Sequence, residues 1–119
     1  MRKIKHFNEH MKVRVCHFDK SRLKHEVIKT ICVMVIKNKY KSQAKKIYTE
    51  YPVGRRIADV YFEINGEKYV IEIQKNMQGN YQKKTEEFYL DLDITPMIFP
   101  TKEFTDNLEE IWKNVYEKV

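Results

Sequence analysis

Two periodicities divide this chain. Leu23, Val27, Ile31, Met34 and Val35 recur three and four residues apart, which lays one apolar face along a helix opened by Ser21. Ser21 is the predicted N-cap, because its hydroxyl can accept a bond from an orphan backbone N–H. The basic run 37–46 ends the pattern and is expected to be solvated. From residue 47 the period drops to two. Residues 47–53 are predicted as a strand that Pro52 confines to an edge or an end, and 57–64 and 68–74 as two more. Asn65-Gly66 between the last two is the strongest short hairpin signal, since both residues tolerate positive φ. Residues 76–80 read as a loop, and 81–92 return to helical spacing. Met97, Ile98 and Phe99, between Pro96 and Pro100, form a short buried strand. Phe104, Leu108, Ile111, Trp112, Val115, Tyr116 and Val119 share one face of a final helix, expected to be core.

The predicted order is α-β-β-β-α-β-α, an α/β chain with a mixed four-stranded sheet flanked by helices. The crossover from the third strand through a helix to the fourth favours parallel pairing of those two. Residues 1–119 read as one domain, with residues 1–20 as a basic N-terminal arm.

Composition adds limits. With 42% hydrophobic and 13% aromatic residues, the chain can build a core, which excludes a disordered tail. No apolar run approaches the roughly 20 residues of a membrane helix, and the basic N-terminus lacks the apolar stretch of a signal peptide. Two cysteines, Cys16 and Cys32, make no disulfide framework and suit a reducing, cytoplasmic setting. Lys and Arg total 23 against 17 acids, a net +6, which points to an anionic partner, nucleic acid being the commonest. The same charge also serves simply to keep a lysine-rich chain soluble. His6, His10, Cys16 and His17 are zinc-ligand types, but their spacing fits no standard zinc module.

The chemistry concentrates on two strand acids, Asp59 and Glu72, each set among aliphatic neighbours where an unpaired carboxylate is costly. Centring the hairpin on Asn65-Gly66 puts them directly across from one another, Cβ atoms about 5 Å apart. Two like charges at that distance suit a divalent cation, and carboxylate oxygens suit Mg²⁺ or Mn²⁺. The alternative is that both acids face solvent opposite Lys or Arg.

Gly54-Arg55-Arg56-Ile57-Ala58-Asp59-Val60, a hairpin, then Ile71-Glu72-Ile73-Gln74 resembles the core of the PD-(D/E)xK nuclease superfamily. It is most similar to the nuclease domain of the competence protein CoiA family. His17-Phe18, then Ser21, His25 and Lys29 upstream, and Phe88-Tyr89 and Ile94-Thr95-Pro96-Met97-Ile98 downstream, extend the resemblance from His17 to Pro100. It implies a restriction-endonuclease-like fold and a metal-dependent nuclease acting on DNA. Asp59 and Glu72 would be metal ligands, with the backbone carbonyl of Ile73 as a third. Gln74 stands where the superfamily has a lysine, and it can only hydrogen-bond. Lys75, Lys83 and Lys84 are candidates for the missing charge. On the first helix, His25 and Lys29 would contact phosphate or shuttle a proton, and Glu26 would reach the metal through water; a packed structural histidine is the alternative for His25. Arg55 and Arg56 are candidates to grip a phosphate or pair with Asp59 or Glu50, Glu50 being a further acid. Superfamily members commonly dimerise, which implies a homodimer. The rival reading is a catalytically inactive nucleic-acid-binding module of the same fold, which Gln74 keeps open; a weaker third is a small basic interaction protein.

Overall fold

A computed structural model describes residues 11–12, 20–75 and 80–119. The elements are β1 (Met11–Lys12), α1 (Lys20–Tyr40), β2 (Ala44–Val53), β3 (Arg56–Ile64), β4 (Glu67–Gln74), α2 (Tyr81–Leu90), β5 (Ile94–Pro100) and α3 (Leu108–Lys118). The predicted order and mixed four-stranded sheet are present as β2-β3-β4-β5, with the two-residue β1 added parallel to β2 at Ile47 and Tyr48. The β2–β3 and β3–β4 pairs are antiparallel. As the crossover requires, β4 and β5 run parallel, Glu72 beside Ile98 and Gln74 beside Pro100.

Helices α1 and α3 cover one face of the sheet and α2 the other. The larger core joins Ile28, Cys32, Val35 and Ile36 of α1 to Val60, Phe62, Ile71 and Ile73 of the sheet and to Ile111 and Val115 of α3. The smaller core gathers Val53, Ala58, Tyr61, Val70 and Ile94 around Tyr89 of α2. The end of α1 fastens α3: Lys39 Nζ donates to the Tyr116 carbonyl at 2.8 Å and the Tyr40 hydroxyl to that of Val119 at 2.6 Å. Those bonds satisfy carbonyls that a helix C-terminus leaves orphaned.

Several boundaries differ from the periodicity. β2 starts at Ala44, inside the basic run, so Lys45 and Lys46 are strand residues. Within α1 the buried side is wider than the predicted stripe and takes in Ile28, Cys32, Val33 and Ile36, while Leu23 and Met34 face solvent. On α3, Ile111 and Val115 are buried but Leu108 and Tyr116 are exposed; Phe104 is buried ahead of the helix rather than within it. An apolar spacing pattern names the helix; only packing decides which half of its face is covered. Pro52 pairs with Ile57 near the end of β2, the position that its missing N–H allows. The zinc-type residues His6, His10, Cys16 and His17, most of the N-terminal arm and the Ser21 side chain lie outside the described residues; α1 starts at Lys20, one residue ahead of the expected cap.

Candidate functional site

The hairpin register is the expected one, with Val60 opposite Ile71 and Ile64 opposite Glu67. The ladder stops at Val60–Ile71, one step before Asp59 and Glu72. There the carboxylates take the place of backbone carbonyls. The Asp59 N–H donates to Glu72 Oε2 at 3.3 Å, and the Ile73 N–H donates to Asp59 Oδ2 at 2.7 Å. Side-chain alternation breaks at the same point: Ala58 and Tyr61 pack towards α2, Val60 and Phe62 towards α1. Asp59 itself turns towards α1, where its Oδ1 lies 3.3 Å from His25 Nε2. Opposite Asp59 on β2, Glu50 has φ 51°, a left-handed backbone that costs a non-glycine residue about 1 kcal/mol. Three acids on three neighbouring strands thus share one irregular row of the sheet.

Glu72 is 5% exposed. Its Oε1 accepts from the Tyr89 hydroxyl at 2.7 Å, a buried bond reaching across from α2. Burial and then the neighbouring Asp59 charge push its carboxyl up to about 7, against the pull of the Tyr89 bond. The Tyr89 hydroxyl is raised in turn, mainly by burial and then by Glu72. His25 is raised by its hydrogen bond to Asp59, which outweighs its own desolvation.

His25, Arg56, Asp59, Glu72, Ile73 and Gln74, with Ile57 and Tyr81, line one cleft of about 280 Å³. Half of the sequence-predicted site residues therefore meet in one place. Glu26 and Lys29 do not line it. Lys29 is fully buried, its ammonium 2.5 Å from Glu26 Oε2 and 3.5 Å from Glu50 Oε2, turned inward and away from any phosphate in the cleft. Glu26 Oε1 faces His25 Nδ1 at 3.6 Å, and neither atom has a hydrogen-bond partner among the described residues. Behind the cleft, then, α1 carries an ion-pair cluster that ties helix to sheet.

The two arginines also separate. Arg55 is exposed at the β2–β3 turn. Arg56 donates to the Thr85 hydroxyl at 3.1 Å and lies 5.2 Å above the Phe88 ring, so α2 holds its guanidinium at the cleft wall. That ring also approaches Gly54, where an added Cβ would meet Phe88 Cζ at 3.3 Å and where φ is +59°. Lys75, Lys83 and Lys84 are exposed and outside the cleft lining. Tyr89 and Thr85 are the functional neighbours that sequence reasoning did not single out. The Tyr that closes the helix after the acidic strand was in view, but a helical tyrosine carries no sign of which acid it will meet.

Among the described residues, no group of three or more His, Cys, Asp or Glu side chains is arranged to hold a metal ion. The cleft itself holds two acids, Asp59 and Glu72. Comparison of the chain with family models, with curated proteins and with solved structures found no match in any of the three.

Proposed function

We propose that this chain is a metal-dependent nuclease hydrolysing DNA phosphodiester bonds, with Asp59 and Glu72 as ligands to Mg²⁺ or Mn²⁺ and the Ile73 carbonyl as third oxygen. One observation carries the reading: two acids from adjacent strands are inserted into the ladder side by side, without an ion pair to lysine or arginine among the described residues, at the floor of an open cleft. Like charges held so close favour a shared cation, and an all-oxygen donor set suits hard ions that keep several waters for phosphate oxygens to displace. The resemblance to PD-(D/E)xK nucleases assigns the same two residues. When bound, the cation would lower the pKa of a water and offset charge on the phosphate.

The remaining work belongs to the chain. Tyr89 and the Asp59 N–H orient the Glu72 carboxylate, and the Ile73 N–H orients Asp59. His25 Nε2, beside Asp59, is placed to take or return a proton at the cleft. Arg56, already fixed by Thr85 and Phe88, offers a planar fork to a phosphate. Gln74 can hydrogen-bond an attacking water but brings no charge. The resemblance also implies a homodimer, checked by sedimentation. A cytoplasmic, reducing setting belongs to the same reading; Cys32 is a buried free thiol whose pKa burial pushes up. Among the described residues no helix is long and apolar enough to cross a membrane.

The second reading, an inactive nucleic-acid-binding module, draws on Gln74 and on the bonds that already occupy Asp59 Oδ2 and both Glu72 oxygens. Calorimetric titration of Mn²⁺ into wild type and into an Asp59→Ala, Glu72→Ala double variant separates the two. The samples are then assayed on supercoiled plasmid and single-stranded DNA. Metal binding and nicking that the double variant loses support the nuclease. DNA binding with no metal uptake, unchanged in the double variant, overturns it in favour of the module.

A further inference from the structure

The net positive charge is not spread over the molecule. Residues 1–15 and 37–46 contain ten of the 23 lysines and arginines and one of the 17 acids, a net of +9. The rest of the chain holds 13 basic and 16 acidic residues, a net of −3. The proposed metal centre therefore belongs to the acidic part, and the basic character of the protein resides elsewhere.

The fold gathers part of that charge. Lys37 on the last turns of α1, Ser42 in the connection, and Lys45 and Lys46 at the start of β2 line a cavity of about 400 Å³ floored by Ala44 and Ile47. A strand would normally send Lys45 and Lys46 to opposite faces. Here the β2–β3 register shifts between Lys45 and Tyr48, and Lys46 has φ 55°, so a bulge lets consecutive lysines share the cavity. The ion pair from these three lysines among the described residues is Lys46 to Glu63, at 3.6 Å and on the surface, where it is worth little. Beside the cavity the backbone of β1 pairs with Ile47 and Tyr48, and Lys12 is one of its two residues. Clustered cations with one weak partner repel one another unless an anion joins them.

We infer that this lysine-lined cleft at the α1–β2 junction is a second anion site, which holds the phosphate backbone of a nucleic acid apart from the carboxylate centre. The inference rests on the nuclease reading only for its placement relative to the cut. Along β3 the Glu63 row lies four residues from Asp59, roughly 13 Å at strand rise, or about four base steps of B-DNA. Along α1, Lys37 is twelve residues from His25, about 18 Å. A strand reaching the acids would thus be gripped several nucleotides from the scissile phosphate. Polyanions other than nucleic acid, an anionic membrane among them, lack that link to a cleft with phosphodiester-directed chemistry.

The test uses fluorescence anisotropy of labelled single-stranded and duplex DNA in EDTA, so that no cutting occurs. A Lys37→Gln, Lys45→Gln, Lys46→Gln variant is compared with Lys102→Gln, Lys113→Gln, Lys118→Gln, which removes the same charge from exposed positions elsewhere. Loss of three phosphate contacts flattens the slope of log K against log salt by about 2 on a single strand and lowers affinity at least about tenfold. The control variant should keep most of both. Equal losses in the two variants, or none in the first, overturn the cleft, as does binding to phosphatidylserine vesicles without binding to DNA. Thermal melts of both variants close to wild type exclude misfolding as the cause. The two readings fail separately: wild type that binds through the cleft but never cuts sinks the nuclease alone, and a cutting enzyme indifferent to the three lysines sinks the cleft alone.

Discussion

Two largely buried charged groups stand back to back in this molecule and are built on opposite terms. Behind, Lys29 of α1 sits between Glu26 and Glu50, a cation enclosed by its counter-charges. In front, Asp59 and Glu72 face each other, and among the described residues the ion pair made to them is that of His25 with Asp59. A buried ion pair answers its own desolvation in part and holds elements in register. A pair of like charges, Glu72 buried and Asp59 partly so, has no such return, and persists because Tyr89 and two backbone N–H groups fix it in place. The first group is compensated within the fold; in the second two acids share one histidine.

Breaking each group should therefore give opposite results. Asp59→Ala or Glu72→Ala should cost nuclease activity about a thousandfold or more, while the melting temperature falls less than in the Lys29 variant because relief of the repulsion offsets part of the hydrogen bonds lost; equal activity in either variant would sink the assignment. Lys29→Met should do the reverse. It leaves two acids without their cation, which destabilises by about 3 kcal/mol, read by denaturant unfolding, and a loss under about 1 kcal/mol would show that the cluster is wetter than its burial implies. Tyr89→Phe removes one bond to Glu72 and nothing from the surface. Activity should fall roughly tenfold, as for other groups that orient a ligand, and the pH profile should move upward because the bond that lowers Glu72 is lost; an unmoved profile would reduce Tyr89 to a packing residue.

The mildest probe is pH. In metal-free protein Glu72, pushed up to about 7, keeps a proton where the unfolded chain, near 4.5, has lost it. Its contribution to stability is present at low pH and is lost as pH rises through 7. His25, raised above 6.5 by Asp59, acts in the same sense: its contribution holds below 6.5 and fades as pH climbs through its folded value. In EDTA the protein should melt roughly 4 °C or more lower at pH 8 than at pH 5.5, and Glu72→Gln should flatten that dependence. A melting temperature that rises over this range would contradict the burial of Glu72.

Element order, the hairpin and the parallel β4–β5 pair were all legible in the sequence, because strand periodicity, Asn65-Gly66 and crossover handedness are local or topological rules. The facing of Asp59 and Glu72 was legible too, through the turn register. Entry of their carboxylates into the ladder was not, since it depends on the break in alternation at Asp59 and on strain at Glu50, neither of which leaves a periodic mark. Lys29 shows the same limit from the other side. A lysine one turn after a histidine reads as a surface contact, yet the acid that encloses it, Glu50, lies on a different element. The basic run 37–46 reads as a solvated face, and the bulge at Lys46 that brings Lys45 and Lys46 together appears only in the register with β3.

The hairpin also bears on the order of folding. Asp59 and Glu72 are 13 residues apart and brought together by a two-residue turn, an event of about 1–10 μs in isolated hairpins. The contact of Asp59 with His25, and of α1 with α3, needs far longer loops to close. The acids thus become neighbours before the helix that shields them has docked, and the nascent sheet passes through a stage in which water still screens their repulsion. Residues of the β3–β4 hairpin should then show higher φ-values than those of α3, and the low-dielectric enclosure of Glu72 becomes one of the last things the chain completes.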